Sequence, residues 1–332
     1  MIVDAHSHGL HGGYLEQLAE AGRSWGRKTV DHMRQLSLKI PHLLDVGLRV
    51  DDLERFGADL QVVTPPLGCD AALSSGDIAV QLAVARVIND NMARLQEDSK
   101  GRLVGIGNVP IGAMEQGGRQ ELERAITSLG LRGVNVFTTI NGKPLDLSEY
   151  EPFWTCASEM NVTVYTHPLE QPGRPYEMIY DVPHTFGWPY ETTVMLARLV
   201  FSGVMERHPN LKIVAHHLGG GMIPFFMERI IDSNDPNGVA PYKDTTLSRP
   251  LFDYFSRFYY DTAGGCGGPG IKCAYEVFGA NQLIFATDNP YGPGGAGGRL
   301  ESDPKVIRSL GFPAADTEKI LSGNARRILA LD

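Results

Sequence analysis

The sequence predicts an α/β protein, a (β/α)8 TIM barrel with a segment inserted after the first strand. Three observations carry that expectation. Short apolar runs of strand length alternate along the chain with stretches of helical apolar periodicity, the order of a parallel sheet with helical crossovers. Eight such runs can be read, and eight strand–helix repeats close into a barrel. No Gly-x-Gly-x-x-Gly follows the first run, which speaks against a doubly wound open sheet. A chain of 332 residues suits one barrel domain over 1–332, since such domains run to about 250 residues and more with insertions.

Met1-Ile2-Val3 opens strand 1, which runs into Asp4-Ala5-His6-Ser7-His8. Residues 9–48 read as a long insertion, a lid or binding loop, before the next regular element. His11, His32 and His42 within it read as surface residues. Arg49 to Phe56 is a short helix that Gly57 can stop. Strand 2 is Asp59 to Pro66. Asp77 can cap the following helix, whose Ile78, Leu82, Val84, Val87, Ile88, Met92 and Leu95 form a core-facing stripe. Strand 3 is Leu103 to Pro110, with a helix around 115–129. Strand 4 is Gly133 to Thr139, and Tyr150 to Met160 is helical. Strand 5 is Asn161 to Pro168. A proline- and aromatic-rich irregular stretch, 169–187, precedes a helix from Pro189 to Arg207. Strand 6 is Lys212 to His217, strand 7 Arg257 to Thr262 and strand 8 Gln282 to Asp288. Helices near 302–310 and 316–330 close the chain. Gly292 to Gly298 lacks the Lys-Ser/Thr of a phosphate loop and reads as a flexible loop.

Composition excludes several classes. A net charge of −9 without a basic run argues against nucleic acid. No apolar run approaches about 20 residues, so no membrane span is expected. No basic stretch followed by an apolar one opens the chain, so no signal peptide is expected either. Cys69, Cys156, Cys266 and Cys273 form no Cys-x-x-Cys pair and read as free thiols in a reducing cytoplasm.

The strand ends carry the chemistry. Side chains alternate along a strand, so His6 and His8 share a face and can aim two imidazoles at one cation. Alone, His-x-His reads equally well as two loop histidines. His167 ends strand 5, His216 and His217 end strand 6, and Asp288 ends strand 8. Catalytic residues of a barrel gather at the C-terminal strand ends, around one mouth. Imidazoles and a carboxylate from four strands then converge on one rim, which favours the metal reading.

Asp-x-His-x-His on strand 1, Thr-His-Pro on strand 5, His-x-Gly-Gly on strand 6 and Thr-Asp-x-Pro on strand 8 resemble the amidohydrolase superfamily. Gly187-Trp-Pro-Tyr-Glu-Thr-Thr193, Arg49 with Leu53 and Gly57, and Asn324-Ala-Arg-Arg-Ile-Leu329 resemble its branch of aminocarboxymuconate-semialdehyde decarboxylase and related decarboxylases. The resemblance covers nearly the whole chain except 9–48. It implies that His6, His8, His167 and Asp288 bind one divalent metal, zinc first, with Mn2+ or Fe2+ as alternatives. It makes His217 the acid/base beside the metal, with Asp288 assisting proton movement. His216, on the opposite strand face, packs behind the site, exchanges roles with His217 if the alignment slips by one, or serves a second metal. Arg49 resembles an arginine that holds a substrate carboxylate. Arg229 resembles one that reaches substrate across a homodimer interface, and Trp188 and Glu191 are weaker substrate contacts. Strand 4 offers Asn135 and no lysine until Lys143, which favours one metal over two.

The expected activity is metal-dependent, non-oxidative decarboxylation of a small aromatic or unsaturated carboxylic acid. The metal-activated water and a histidine acid/base would serve it. A hydrolase acting on an amide, lactone or carbon–carbon bond is the first alternative, because one site can host either chemistry. A dinuclear metal oxygenase is the second, and a binding protein with a vestigial site the least favoured.

Overall fold

The computed structural model describes residues 1–66, 76–169, 180–232, 247–264, 267–292 and 295–331. Cys69, Cys266, residues 170–179 of the 169–187 stretch and residues 293–294 of the 292–298 loop lie outside the described residues. The chain divides into two compact units, Met1–Val136 with Ile284–Asp332, and Phe137–Leu283.

In the first unit, β1 (Val3–His8) pairs in parallel with β2 (Leu60–Thr64), and β2 with β3 (Leu103–Gly105). Beyond Ile106, β4 (Gly107–Asn108) pairs in parallel with β5 (Val134–Phe137). Strand 3 is therefore broken rather than continuous to Pro110. Residues 285–289 return to β1: Ala5 N–H donates to Phe285 O at 2.8 Å, Asp288 N–H to His6 O at 3.0 Å and His8 N–H to Asn289 O at 2.6 Å. The last strand thus lies beside the first, which is the pairing that closes a barrel. The strand side chains Val3, Ala5, Val62, Val63, Phe285 and Ala286 are wholly buried.

The 9–48 segment is helical where a long irregular insertion was expected. Helices Leu15–Ala21 and Arg23–Ser37 bury Leu15, Leu18, Val30 and Met33 against Val80, Val84 and Ile88 of the helix Ile78–Asp98. Those apolar residues recur at helical spacing, so the segment buries a face of its own. Asp77 caps the Ile78–Asp98 helix as expected, accepting from Ala79 and Val80 N–H. Gly57, at φ +71°, ends the helix Val46–Phe56.

In the second unit, β8 (Thr163–His167) pairs in parallel with β9 (Lys212–Ala215), and β9 with β10 (Tyr259–Asp261). An antiparallel hairpin joins β6 (Thr139–Ile140) to β7 (Lys143–Pro144). The expected helix from Pro189 to Arg207 is two helices, Trp188–Phe201 and Val204–Arg207, broken at Gly203 with φ +79°. Phe153, Trp154, Leu196, Leu199 and Phe255 fill this unit's core, and the Trp154 indole N–H donates to Leu145 O at 2.8 Å. Cys156 and Cys273 are free thiols, as expected.

An ion pair ties the helix Glu151–Glu159 to Val204–Arg207. Arg207 donates to both Glu151 oxygens, at 2.9 and 2.8 Å. These bonds hold the Glu151 carboxyl at about 2, below its ordinary value of 4.5. A depressed carboxyl stabilises the fold above its unfolded pKa, and that contribution is lost as pH falls through the folded one. The melting temperature of Glu151→Gln is therefore expected to fall less steeply than wild type between about pH 4.5 and pH 2. Parallel acid limbs in the two thermal titrations would show the pair to be inert.

Candidate metal centre

In the first unit, the β1–β2 register slips between Asp4 and Ser7, an irregularity of the kind that re-aims side chains. His6 and His8 meet edge to face with ring centroids 4.7 Å apart. The His8 ring is oriented by its Nδ1, which lies 3.0 Å from Thr64 Oγ1 and 3.3 Å from Pro65 O. Thr64 spends its hydroxyl proton on Ser7 O, 3.1 Å away. A carbonyl has no proton to give, so Nδ1–H donates to Pro65 O and Nε2 is the nitrogen turned to the other side. That Nε2 stands 3.2 Å from Asp288 Oδ1. Two electron-pair donors at this distance repel unless a proton or a cation sits between them.

Asp288 is presented at φ +63°, a left-handed conformation rare for a non-glycine residue and common at functional positions. The turn is held from below by Asp4. Its carboxylate accepts from Thr287 N at 2.9 Å, Thr287 Oγ1 at 2.6 Å and Gln61 Nε2 at 2.8 Å. Complete burial pushes the Asp4 carboxyl up to about 7, against the pull of those bonds.

The second unit gathers His167, His216, His217, Trp188 and Asp261. His167 Nδ1 lies 2.7 Å from Pro168 O, so by the same reasoning its Nε2 is the nitrogen that could hold a metal. The His167 ring stands 5.7 Å from His216 and 5.8 Å from His217, centroid to centroid. His216 Nδ1 meets Asp261 Oδ2 at 2.5 Å, with both side chains wholly buried. Such a carboxylate fixes the tautomer and raises the basicity of the ring. The Trp188 indole stacks on His217 at 6.4 Å and 14°. Its buried Nε1–H finds no acceptor among the described residues.

The expectation that His216 and His217 alternate on strand 6 is corrected. β9 ends at Ala215, and both histidines stand in the turn His216–Gly219, with His217 at φ +54° and Leu218 at φ +57°. Their directions are set by this turn and not by the strand pleat. Two glycines make room for it. A Cβ on Gly220 would fall 2.0 Å from Pro189 O, and one on Gly264 2.7 Å from His217 Cβ.

The remaining expected residues divide. Arg49 is 2 % exposed, beneath the end of β1. Burial brings its guanidinium down to about 10. Arg229 is exposed on the helix Met227–Asp232. Glu191 is half-buried in the first turn of the helix Trp188–Phe201, and burial raises its carboxyl. Asp261 and the Asp4–Gln61 pair were not expected at the site. Asp261 ends the Tyr-Tyr-Asp strand, so the strand-end rule that selected Asp288 selects it too. Neutral imidazole nitrogens with carboxylate oxygens form a donor set that suits a first-row divalent ion.

Asp261→Ala removes the acceptor of a buried, charge-assisted hydrogen bond. It is expected to destabilise the fold by about 1.5–3 kcal/mol in urea titration. It should also alter the His216 ring 15N shifts, which report the tautomer. Unchanged shifts would show that Asp261 does not set that ring.

The amidohydrolase family profile matches residues 40–331. A 2-amino-3-carboxymuconate-6-semialdehyde decarboxylase of Dictyostelium discoideum is 30% identical over 294 residues, which is 87% of this chain and 77% of that one. A crystal structure of 2,6-dihydroxybenzoate decarboxylase complexed with 2,6-dihydroxybenzoate superposes with a TM-score of 0.74 at 26% identity, covering 87% of this chain and 90% of the other. A dihydroxybenzoic acid decarboxylase from Polaromonas sp. JS666, with bound manganese and the inhibitor 2-nitroresorcinol, gives 0.77 at 25% identity over 99% and 96% of the two chains. The α/β barrel class read from the strand order is the fold these structures share. The chain is an enzyme that belongs to the amidohydrolase family, in the branch that holds these decarboxylases.

Proposed function

We propose that the chain is a metal-dependent, non-oxidative carboxy-lyase acting on a small aromatic or unsaturated carboxylic acid. It would work as one catalytic domain over 1–332, with a single divalent metal held by His6, His8, His167 and Asp288. The observation that carries the reading is His8 Nε2 facing a carboxylate oxygen of Asp288 at 3.2 Å, in a chain whose relatives are named decarboxylases. Zinc is the ion proposed first. Mn2+, present in the Polaromonas relative, and Fe2+ suit the same donors.

When bound, the metal supplies a Lewis acid for substrate oxygens and lowers the pKa of water. The chain's own residues do the rest. The Trp188 N–H, buried without a protein acceptor among the described residues, is available to a substrate oxygen. His217 delivers a proton to the carbon that bears the carboxyl group. The carbon–carbon bond then breaks, carbon dioxide leaves, and the bond's electron pair re-forms the double bond that protonation consumed. Asp288 assists the proton movement. Glu191 is a further substrate contact. Arg229 reaches substrate across a homodimer interface, a placement that its exposure and the neighbouring exposed Phe225 and Phe226 support. No helix among the described residues is long and apolar enough to cross a membrane, and we place the enzyme in the cytoplasm.

The test is trapping of carbon dioxide or bicarbonate from a panel of hydroxybenzoic and muconate-like acids. Chelation is expected to abolish turnover and one equivalent of Zn2+ or Mn2+ per chain to restore it. His217→Ala is expected to lower kcat by about 10²–10⁴. Hydrolysis of amides or lactones with no carbon dioxide from any acid would overturn the assignment.

A further inference from the structure

We infer that Arg49 is a positioning residue that fixes the end of β1, and through it His8, and does not hold the substrate's carboxylate. The inference rests on the metal reading above. Arg49 Nη1 donates to His8 O at 2.7 Å and to His42 O at 3.1 Å. Nη2 donates to Ser7 Oγ at 2.6 Å and to Gln61 Oε1 at 2.6 Å. A guanidinium has five N–H groups, four of them on the two terminal nitrogens. All four are therefore engaged by the protein, and the two-toothed face that would grip a carboxylate is used up. At 2 % exposure, Arg49 has no surface to offer a ligand.

What the fork grips matters. Two of its acceptors belong to Ser7 and His8, the residues that end β1. Ser7 in turn donates to Val62 O at 2.8 Å, which locks the same turn onto β2. Gln61 links the fork to the Asp4 carboxylate, and Asp4 holds Thr287, the neighbour of Asp288. One chain of hydrogen bonds thus runs beneath both His8 and Asp288. The fourth acceptor, His42 O, ties in the end of the inserted segment, whose Leu43 O also accepts from Leu10 N–H at 2.8 Å. Gly9 permits the approach, because a Cβ there would meet Arg49 Nη1 at 3.1 Å.

Arg49→Lys keeps the charge and loses the planar fork. Gln61→Leu keeps Arg49 and removes its acceptor. Both variants of the full chain are expected to weaken Zn2+ binding by about 10- to 100-fold, measured by competition with a chromogenic chelator. Both should lower kcat and leave KM within about threefold of wild type, since the altered bonds lie behind the metal donors. In the metal-free proteins the His8 ring 15N resonances should move, which reads the positioning without any metal. A substrate-gripping arginine gives the opposite result: KM rises more than about tenfold in Arg49→Lys, with Zn2+ affinity and His8 resonances unchanged. That result overturns the inference. Should Arg49→Lys fail to fold, Gln61→Leu decides, and unmoved His8 resonances in it overturn the inference equally. Moved resonances in a chain that binds no Zn2+ even as wild type would sustain the positioning role and defeat the metal reading alone.

Discussion

The pairing of the first strand with the last described strand segment is the constraint on which the site depends. It brings the two ends of the chain into one parallel ladder, through Ala5 with Phe285, His6 with Asp288 and His8 with Asn289. The ladder is held by wholly buried apolar side chains, Val3, Ala5, Phe285 and Ala286 among them. Its polar passengers are therefore carried into a low-dielectric interior. Burying such groups costs several kcal/mol unless each finds a partner. Asp4 shows the cost as a carboxyl pushed up to about 7, and shows the remedy as three close donors. The polar residues beneath the site are thus required by the burial of the strand ends, before any substrate enters the argument.

The second unit meets the same demand by other means. Its strand stops one residue before the histidines, and a tight turn takes over. Left-handed backbone at His217 and Leu218 is unfavourable for residues with a Cβ. It persists because Asp261 holds His216 Nδ1 and because the neighbouring backbone comes very close, at positions only glycine can occupy. Rigidity at this turn favours function, because a proton donor contributes only when held within hydrogen-bond reach of its target.

What could be read in advance follows from range of interaction. The strand-end placement of His8 and His167 was legible because it is a local property, visible in short apolar runs that stop at a polar residue. The barrel class was legible for the same reason. The helical nature of residues 9–48 was present in the spacing of Leu15, Leu18, Val30 and Met33, but glycines and scattered charges masked it. The departure of His216 and His217 from strand geometry was hidden, since nothing local marks Ala215 as the last paired residue. The engagement of Arg49 was least legible of all. Its four acceptors come from four residues on β1, β2 and the inserted segment, and only the folded chain sets them around one guanidinium.

One device recurs in both units. His8 turns its Nδ1 to Pro65 O, and His167 turns its own to Pro168 O. Each proline lies just past a strand end, where the ladder no longer claims its carbonyl, and proline itself brings no N–H that would need pairing. A prolyl carbonyl there accepts a hydrogen bond from an imidazole Nδ1–H, which orients the ring with Nε2 on the far side. The sequence marks this as Thr-Pro-Pro after strand 2 and Thr-His-Pro in strand 5. Both motifs would meet the same requirement of a ligand imidazole, a proton parked on the nitrogen that faces away from the cation. His216 is fixed instead by the Asp261 carboxylate, and His217 by the turn that lifts it off the strand.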